Sequence, residues 1–181
     1  MKKLVLFGDS LFAQAGKHRV IIFEEALPGY DVYNCAAGGW NTNDCAQKAP
    51  YIAKLQADVV VISLGTNDAA PYKQVPLRTF IENIPKILQA FEGSKIIWYL
   101  PTPVDQSKSN AFGKEIPNEV VKQYHDAAKQ VCEEYGVDVI NSFAIFKPML
   151  DAGETYHNED GVHYIDIAYE IIAKELSKLL T

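Results

Sequence analysis

Short, strongly apolar runs alternate with longer amphipathic stretches along this chain of 181 residues, and no other feature constrains the fold as much. Apolar runs of about four to eight residues, such as VVVI at residues 59–62, are typical of strands that are covered on both faces. Stretches with a period of about 3.6 residues indicate helices. Their alternation predicts βα units around a parallel sheet.

The boundaries of the predicted elements follow from this pattern and from the residues that start and stop helices. Strands are predicted at residues 4–7, 31–34, 58–63, 95–100 and 137–141. Helices are predicted at residues 20–27, 42–55, 77–91, 118–135 and 165–180, with Asn41 or Thr42 and Asn118 as caps. A chain of this length fits within one domain, so we expect a single domain over residues 1–181.

One connection is much longer than the others. Residues 101–117 (PTPVDQSKSNAFGKEIP) are polar and rich in proline, whereas most βα loops have about two to six residues. Long loops of this kind usually carry function, so we expect a wall or lid on the substrate side. The alternative is that these residues form only a surface loop.

Composition and charge exclude several classes of protein. The formal net charge of −6 and the lack of a Lys/Arg cluster argue against nucleic-acid binding. No apolar run is long enough for a membrane span, and the run at residues 4–7 is too short for a signal peptide. Cys35, Cys45 and Cys132 lack metal or disulfide spacing, which favours reduced thiols in a cytoplasmic protein.

Three predicted strands are followed by residues that carry chemistry. In an open parallel sheet, ligands bind outside the carboxyl ends of the strands. The first three strands are followed by Gly8, Asp9 and Ser10, by Gly38 and Gly39, and by Gly65, Thr66, Asn67 and Asp68. A hydroxyl, a glycine turn and a side-chain amide therefore meet at one edge of the sheet.

This combination predicts a serine nucleophile. The hydroxyl of Ser10 needs a general base within reach and donors for the oxyanion that forms on attack. The backbone N–H groups of Ser10 and Gly39 and the side-chain amide of Asn67 are the candidate oxyanion donors. His163 is the candidate base, because Asp160 lies three residues earlier and can orient one ring nitrogen while the other faces Ser10.

The remaining histidines suggest one alternative. His18, His125 and His157 are interpreted as surface or helix residues, but His157, Asp160 and His163 also form an HxxDxxH set that could ligate a transition metal. A metal-dependent hydrolase is therefore the competing hypothesis, although it leaves Ser10 and Asn67 unexplained. A flavin or nucleotide binder is disfavoured because neither a P-loop nor GxGxxG occurs. A catalytically silent binding protein is a third alternative, although every proposed site residue is present.

Four short blocks together resemble the SGNH or GDSL hydrolase superfamily. They are GDSL at residues 8–11, Gly39 in NCAAGG, GTND at residues 65–68 and DGVH at residues 160–163, in the order typical of that family. Each block alone is a weak signal, but together they span most of the chain. Gly39 is chosen over Gly38 because it stands five residues after Asn34, the spacing usual in the family.

The resemblance implies an α/β fold, specifically a flavodoxin-like three-layer α/β/α sandwich with a five-stranded parallel sheet. It implies hydrolysis of esters or thioesters through an acyl-serine intermediate, with no metal and no organic cofactor. It assigns Ser10, Asp160 and His163 to the triad and Gly39 and Asn67 to the oxyanion hole. We expect a small-molecule ester as substrate, such as an acetylated sugar, and a structural role for Asp68 within its own loop.

Overall fold

The structure is a computed structural model in which residues 1–180 are described. Within this range, the strands are Lys2–Gly8 (β1), Tyr30–Asn34 (β2), Val59–Ser63 (β3), Lys95–Tyr99 (β4) and Asp138–Ile140 (β5). The helices are Ser10–Ala13 (α1), Gly16–Ala26 (α2), Thr42–Ile52 (α3), Thr66–Ala69 (α4), Leu77–Ala90 (α5), Gln106–Ala111 (α6), Asn118–Glu134 (α7), Ser142–Asp151 (α8) and Asp166–Leu180 (α9).

All strands of this range lie in one parallel sheet with the order β2-β1-β3-β4-β5. Side chains alternate across the sheet, because successive residues of a strand point to opposite faces. Val5 and Phe7 pack into the core that α3, α5 and α7 cover, whereas Leu4 and Leu6 pack into the core that α2 and α9 cover. The predicted α/β fold with a five-stranded parallel sheet between two helical layers is confirmed.

The strand order places three chain segments at one edge of the sheet. β1 lies between β2 and β3, so the connections that leave β1 and β3 depart toward opposite faces and open a crevice at their carboxyl ends. Gly8, the last residue of β1, pairs with Ser63, the last residue of β3. The segments that follow β1, β2 and β3 therefore meet at this crevice, as the sequence predicts.

Some elements differ from those predicted. The helices α1, α4, α6 and α8 were not predicted; three of them have six residues or fewer, which is too few to establish a helical period. Asn41 caps α3 as predicted, through a reciprocal pair of hydrogen bonds with Asp44. Asn118 does not cap α7; its side chain instead bonds the N–H and C=O of Val104, each at 2.8 Å.

Two histidines are more buried than the sequence suggests. His125 lies on α7 as expected, but it is only 2% exposed and packs against Phe143. His157 is also 2% exposed and forms a β-bridge with Tyr164, so its interpretation as a surface or helix residue was wrong. Both rings are covered by aromatic neighbours from other elements, which a linear sequence does not reveal.

Candidate active site

Ser10 stands at a sharp turn between β1 and α1. The turn begins at Gly8, whose φ of 132° disfavours any residue with a side chain. A Cβ atom at Gly8 would also lie 2.0 Å from the carbonyl oxygen of Ser63, so the close approach of β3 requires glycine. Asp9 then caps α1 by accepting a hydrogen bond from the N–H of Leu11 at 3.0 Å. The half-buried Ser10 is thereby held at the mouth of the crevice.

Asp160 and His163 lie in a tight loop between α8 and α9. The β-bridge between His157 and Tyr164 closes the base of this loop, and the N–H of Asn158 donates to the carbonyl of His163 at 2.8 Å. Asp160 Oδ1 accepts hydrogen bonds from the backbone N–H groups of Val162 and His163, both at 2.9 Å. These contacts fix the carboxylate and the imidazole relative to each other.

The structure brings the three residues of the predicted triad together. His163 Nε2 lies 2.8 Å from Ser10 Oγ, and His163 Nδ1 lies 2.5 Å from Asp160 Oδ2. Ser10 and His163 are 153 positions apart in the sequence, so only the fold places them in contact. A hydroxyl, an imidazole and a carboxylate in this order form an arrangement that can activate an oxygen nucleophile.

Asp160 is held in its ionised form. Burial raises the pKa of this carboxyl, but hydrogen bonds from Lys114, from the backbone and ring of His163 and from the backbone of Val162 outweigh burial. The pKa of Asp160 therefore lies well below its ordinary value. The side chains of Asp160 and His163 are each only 13% exposed, so little water competes for the bond between them.

Gly39 and Asn67 lie in the same cleft as Ser10 and His163. The side-chain amide of Asn67 donates to the carbonyl of Trp40 at 2.8 Å, which ties the loop after β3 to the loop after β2. Because a primary amide has two N–H bonds, one remains to serve a ligand. The structure thus brings both candidate oxyanion donors to the predicted nucleophile.

Asp68 has a different structural role from the one predicted. Its Oδ1 accepts hydrogen bonds from the N–H and the hydroxyl of Thr42, at 3.0 and 2.5 Å, rather than from its own loop. The prediction was wrong because the partner is 26 positions away and is reached only through the packing of α3. Burial raises the pKa of Asp68 to about 6 against these hydrogen bonds.

The cleft that contains these residues has a volume of ≈ 320 Å³. It is lined by Ser10, Leu11, Gln14, Gly38, Gly39, Thr66, Asn67, Tyr72, Lys73, Lys114, Ile116, Val162 and His163. Lys73 and Lys114 were not predicted from the sequence, although Lys114 lies in the long 101–117 connection that is predicted to form a wall. Lys114 and Ile116 do line the cleft, so this connection forms part of its wall.

The three residues of the competing metal hypothesis do not form a metal site among residues 1–180. His157 Nε2 is buried and has no hydrogen-bond partner among the described residues, and burial lowers the pKa of this imidazole to about 4. Asp160 Oδ2 is shared by His163 and Lys114. No group of three His, Cys, Asp or Glu residues suited to a metal ion occurs within residues 1–180, so the structure does not support the competing HxxDxxH hypothesis.

Comparison with known proteins identifies the family. The model of the GDSL-like Lipase/Acylhydrolase family matches residues 6–171. The chain belongs to this family. It is 28% identical over 201 residues to GDSL esterase/lipase CPRD49 of Arabidopsis thaliana, a match that covers 98% of this chain and 78% of that protein. The isoamyl acetate-hydrolyzing esterase 1 homolog of Homo sapiens is 25% identical over 202 residues, which cover 98% of this chain and 81% of that protein.

Solved structures share the fold of this GDSL family member. The lipase/acylhydrolase from Enterococcus faecalis superimposes with a TM-score of 0.84 at 24% identity, covering 99% of this chain and 95% of that one. The acetyl xylan esterase AlAXEase superimposes with a TM-score of 0.81 at 16% identity, covering 99% and 100%. Membership of this esterase and acylhydrolase family makes the chain a carboxylic ester hydrolase. Throughout residues 1–180, every helix is too short or too polar to span a bilayer.

Proposed function

We propose that this chain is a one-domain serine esterase that cleaves small carboxylic esters through an acyl-serine intermediate. The observation that carries the proposal is the continuous path from Ser10 Oγ to His163 Nε2 at 2.8 Å and from His163 Nδ1 to Asp160 Oδ2 at 2.5 Å. Ser10 is the nucleophile, His163 the general base, and Asp160 the group that orients the imidazole and stabilises its protonated form.

In the proposed reaction, Ser10 Oγ attacks the ester carbonyl while His163 takes the hydroxyl proton. The negative charge that forms on the carbonyl oxygen is stabilised by the N–H groups of Ser10 and Gly39 and by the amide of Asn67. The tetrahedral intermediate collapses as His163 donates the proton to the leaving alcohol. Water then attacks the acyl-serine with the same base, releases the acid and restores Ser10.

A small acyl group suits this cleft best. The volume of the cleft, ≈ 320 Å³, is near the lower end of the range for ligand sites. The human relative is named for hydrolysis of isoamyl acetate, and a structural neighbour is an acetyl xylan esterase. Both names, taken with the cleft volume, support acetyl esters, including O-acetyl groups on carbohydrates, as substrates of this chain.

Hydrolysis of p-nitrophenyl esters of increasing acyl length tests the proposal. We expect the rate to be highest for acetate and to be unchanged by a metal chelator. Ser10→Ala lowers kcat by at least about 10⁴-fold, because the step that the hydroxyl performs is lost. Ser107→Ala, at an exposed position on α6, is the matched control and keeps the wild-type rate. Hydrolysis retained by Ser10→Ala with an unchanged circular dichroism spectrum would contradict the assignment.

A further inference from the structure

The long 101–117 connection is docked directly onto the loop that carries Asp160 and His163. The N–H of Asp105 donates to the carbonyl of Gly161 at 2.8 Å. Gly161 has a φ of 72°, and a Cβ atom there would lie 2.5 Å from the carbonyl oxygen of Asp105. The two backbones therefore touch at a position that only glycine allows.

Lys114 extends from this connection to the carboxylate of Asp160. Its backbone is fixed by the fully buried Ser109, because the N–H of Lys114 donates to the carbonyl of Ser109 at 2.8 Å and Ser109 Oγ donates to the carbonyl of Lys114 at 2.7 Å. Lys114 Nζ then donates to Asp160 Oδ2 at 2.8 Å. The ammonium is thus fixed at the same oxygen that contacts His163.

The two oxygens of Asp160 have different partners. Oδ1 accepts the backbone N–H groups of Val162 and His163, and Oδ2 accepts from Lys114 and from the ring of His163. An ammonium at Oδ2 reduces the negative potential at the imidazole and repels its protonated form. The side chain of Lys114 is 30% exposed, which is less than in most ion pairs of this chain, so solvent screens this contact only in part.

We propose that Lys114 is a positioning residue of the esterase, which fixes the carboxylate of Asp160 and places a positive charge beside the general base, and thereby sets the position of the acid limb of the pH–rate profile. This inference rests on the proposed function, because it concerns the general base of that reaction. The long connection accordingly acts as a brace for the catalytic loop. Tyr72 and Lys73 are titratable groups that line the same cleft as His163, and Asp9, the residue before Ser10, is buried.

The pH dependence of kcat/KM for p-nitrophenyl acetate tests this role. The acid limb of the profile reports protonation of the base. The interaction energy of two unit charges about 5 Å apart, at effective dielectric constants between about 20 and 80, is large enough to move this limb by about 0.6 to 2.4 pH units. We therefore expect the limb of Lys114→Met to lie that much higher than in wild type, and the limb of Lys114→Arg to stay near the wild-type position.

Lys108→Met is the matched control, because Lys108 lies on the same connection and pairs with Asp105 at 3.6 Å rather than with Asp160. It removes the same charge and should leave the acid limb in place. A uniform loss of rate in Lys114→Met at every pH, without movement of the limb, would show a merely structural contact and overturn the inference. The same holds if Lys108→Met moves the limb equally.

Two further measurements keep the outcomes distinguishable. If Lys114→Met is too slow to assay, NMR titration of the His163 ring in the Ser10→Ala background measures the same shift without turnover. An unshifted ring overturns the role of Lys114. Retained hydrolysis by Ser10→Ala overturns the proposed function and this inference together, whereas its loss combined with an unmoved acid limb overturns the inference alone.

Discussion

Asp9, the residue before the proposed nucleophile, should make the chain less stable as the pH rises. Its side chain is 1% exposed, Oδ1 accepts hydrogen bonds from Leu11 N–H and, at 3.3 Å, from Ser63 Oγ, and Oδ2 has no partner among the described residues. Burial raises the pKa of Asp9 from its ordinary 3.8 to about 7, with a smaller contribution from Asp68. Asp9→Asn removes this ionisation but keeps the shape and the helix cap.

The sign and size of the effect follow from proton linkage. Between about pH 4 and pH 7 the folded chain binds the Asp9 proton and the unfolded chain does not, so the free energy of unfolding falls as the pH rises. A pKa difference of about three units corresponds to roughly 4 kcal/mol in total, of which about 2 to 3 kcal/mol is lost between about pH 5 and about pH 8. The stability of Asp9→Asn relative to wild type should therefore increase by that amount over this interval.

Urea unfolding at the two pH values, followed by tryptophan fluorescence, measures this difference. Trp98 is fully buried, so its emission reports the loss of the core. Asp31→Asn, at a partly exposed position on the edge strand β2, is the matched control for the loss of one negative charge. Equal pH dependence in wild type and Asp9→Asn would contradict this prediction, because it would mean that Asp9 ionises as readily in the folded chain as in the unfolded one.

Two further predictions concern the oxyanion hole and the catalytic loop. Asn67→Ala should lower kcat by about 100- to 1000-fold with little change in KM, because the lost donor acts mainly on the charge of the transition state. Steady-state kinetics with p-nitrophenyl acetate measures this effect. An unchanged kcat would show that Asn67 is not an oxyanion donor. Gly161→Ala should lower the free energy of unfolding by at least about 1 to 2 kcal/mol, because alanine is strained at a φ of 72°. Its Cβ would also collide with Asp105, so kcat should fall in the same variant. Thermal unfolding measures the stability. A melting temperature equal to that of wild type would contradict the contact between the 101–117 connection and the catalytic loop.

The strands and their parallel arrangement were predictable because the sequence signals for them are local. Runs such as residues 59–63 are buried along their full length, and βα alternation restricts the topology to parallel sheets. The short helices α1 and α4 were missed because four residues do not establish a period. These helices form where a strand ends in a glycine turn, and tertiary contacts rather than their own sequence stabilise them.

The candidate site was predictable as a set of residues and unpredictable as a set of contacts. Ser10, Asn67 and His163 were identified from their places after strands or near a carboxylate. Lys114 was not, because its bond to Asp160 joins positions 46 apart through a loop that has no periodic pattern. His157 was misinterpreted for the same reason, since the aromatic rings that bury it come from other segments.

The fold class, the edge of the sheet at which the site lies and the residue types that the chemistry needs were all predictable from local patterns. Hydrophobic period and strand-end composition are properties of neighbouring residues. The contacts between distant groups, in contrast, depend on tertiary packing. The distance of 2.8 Å between Ser10 and His163, the burial of Asp9 and the place of Lys114 beside Asp160 all depend on how the helical layers pack against the sheet. Packing of this kind sums many weak contacts between distant segments, which no local pattern encodes.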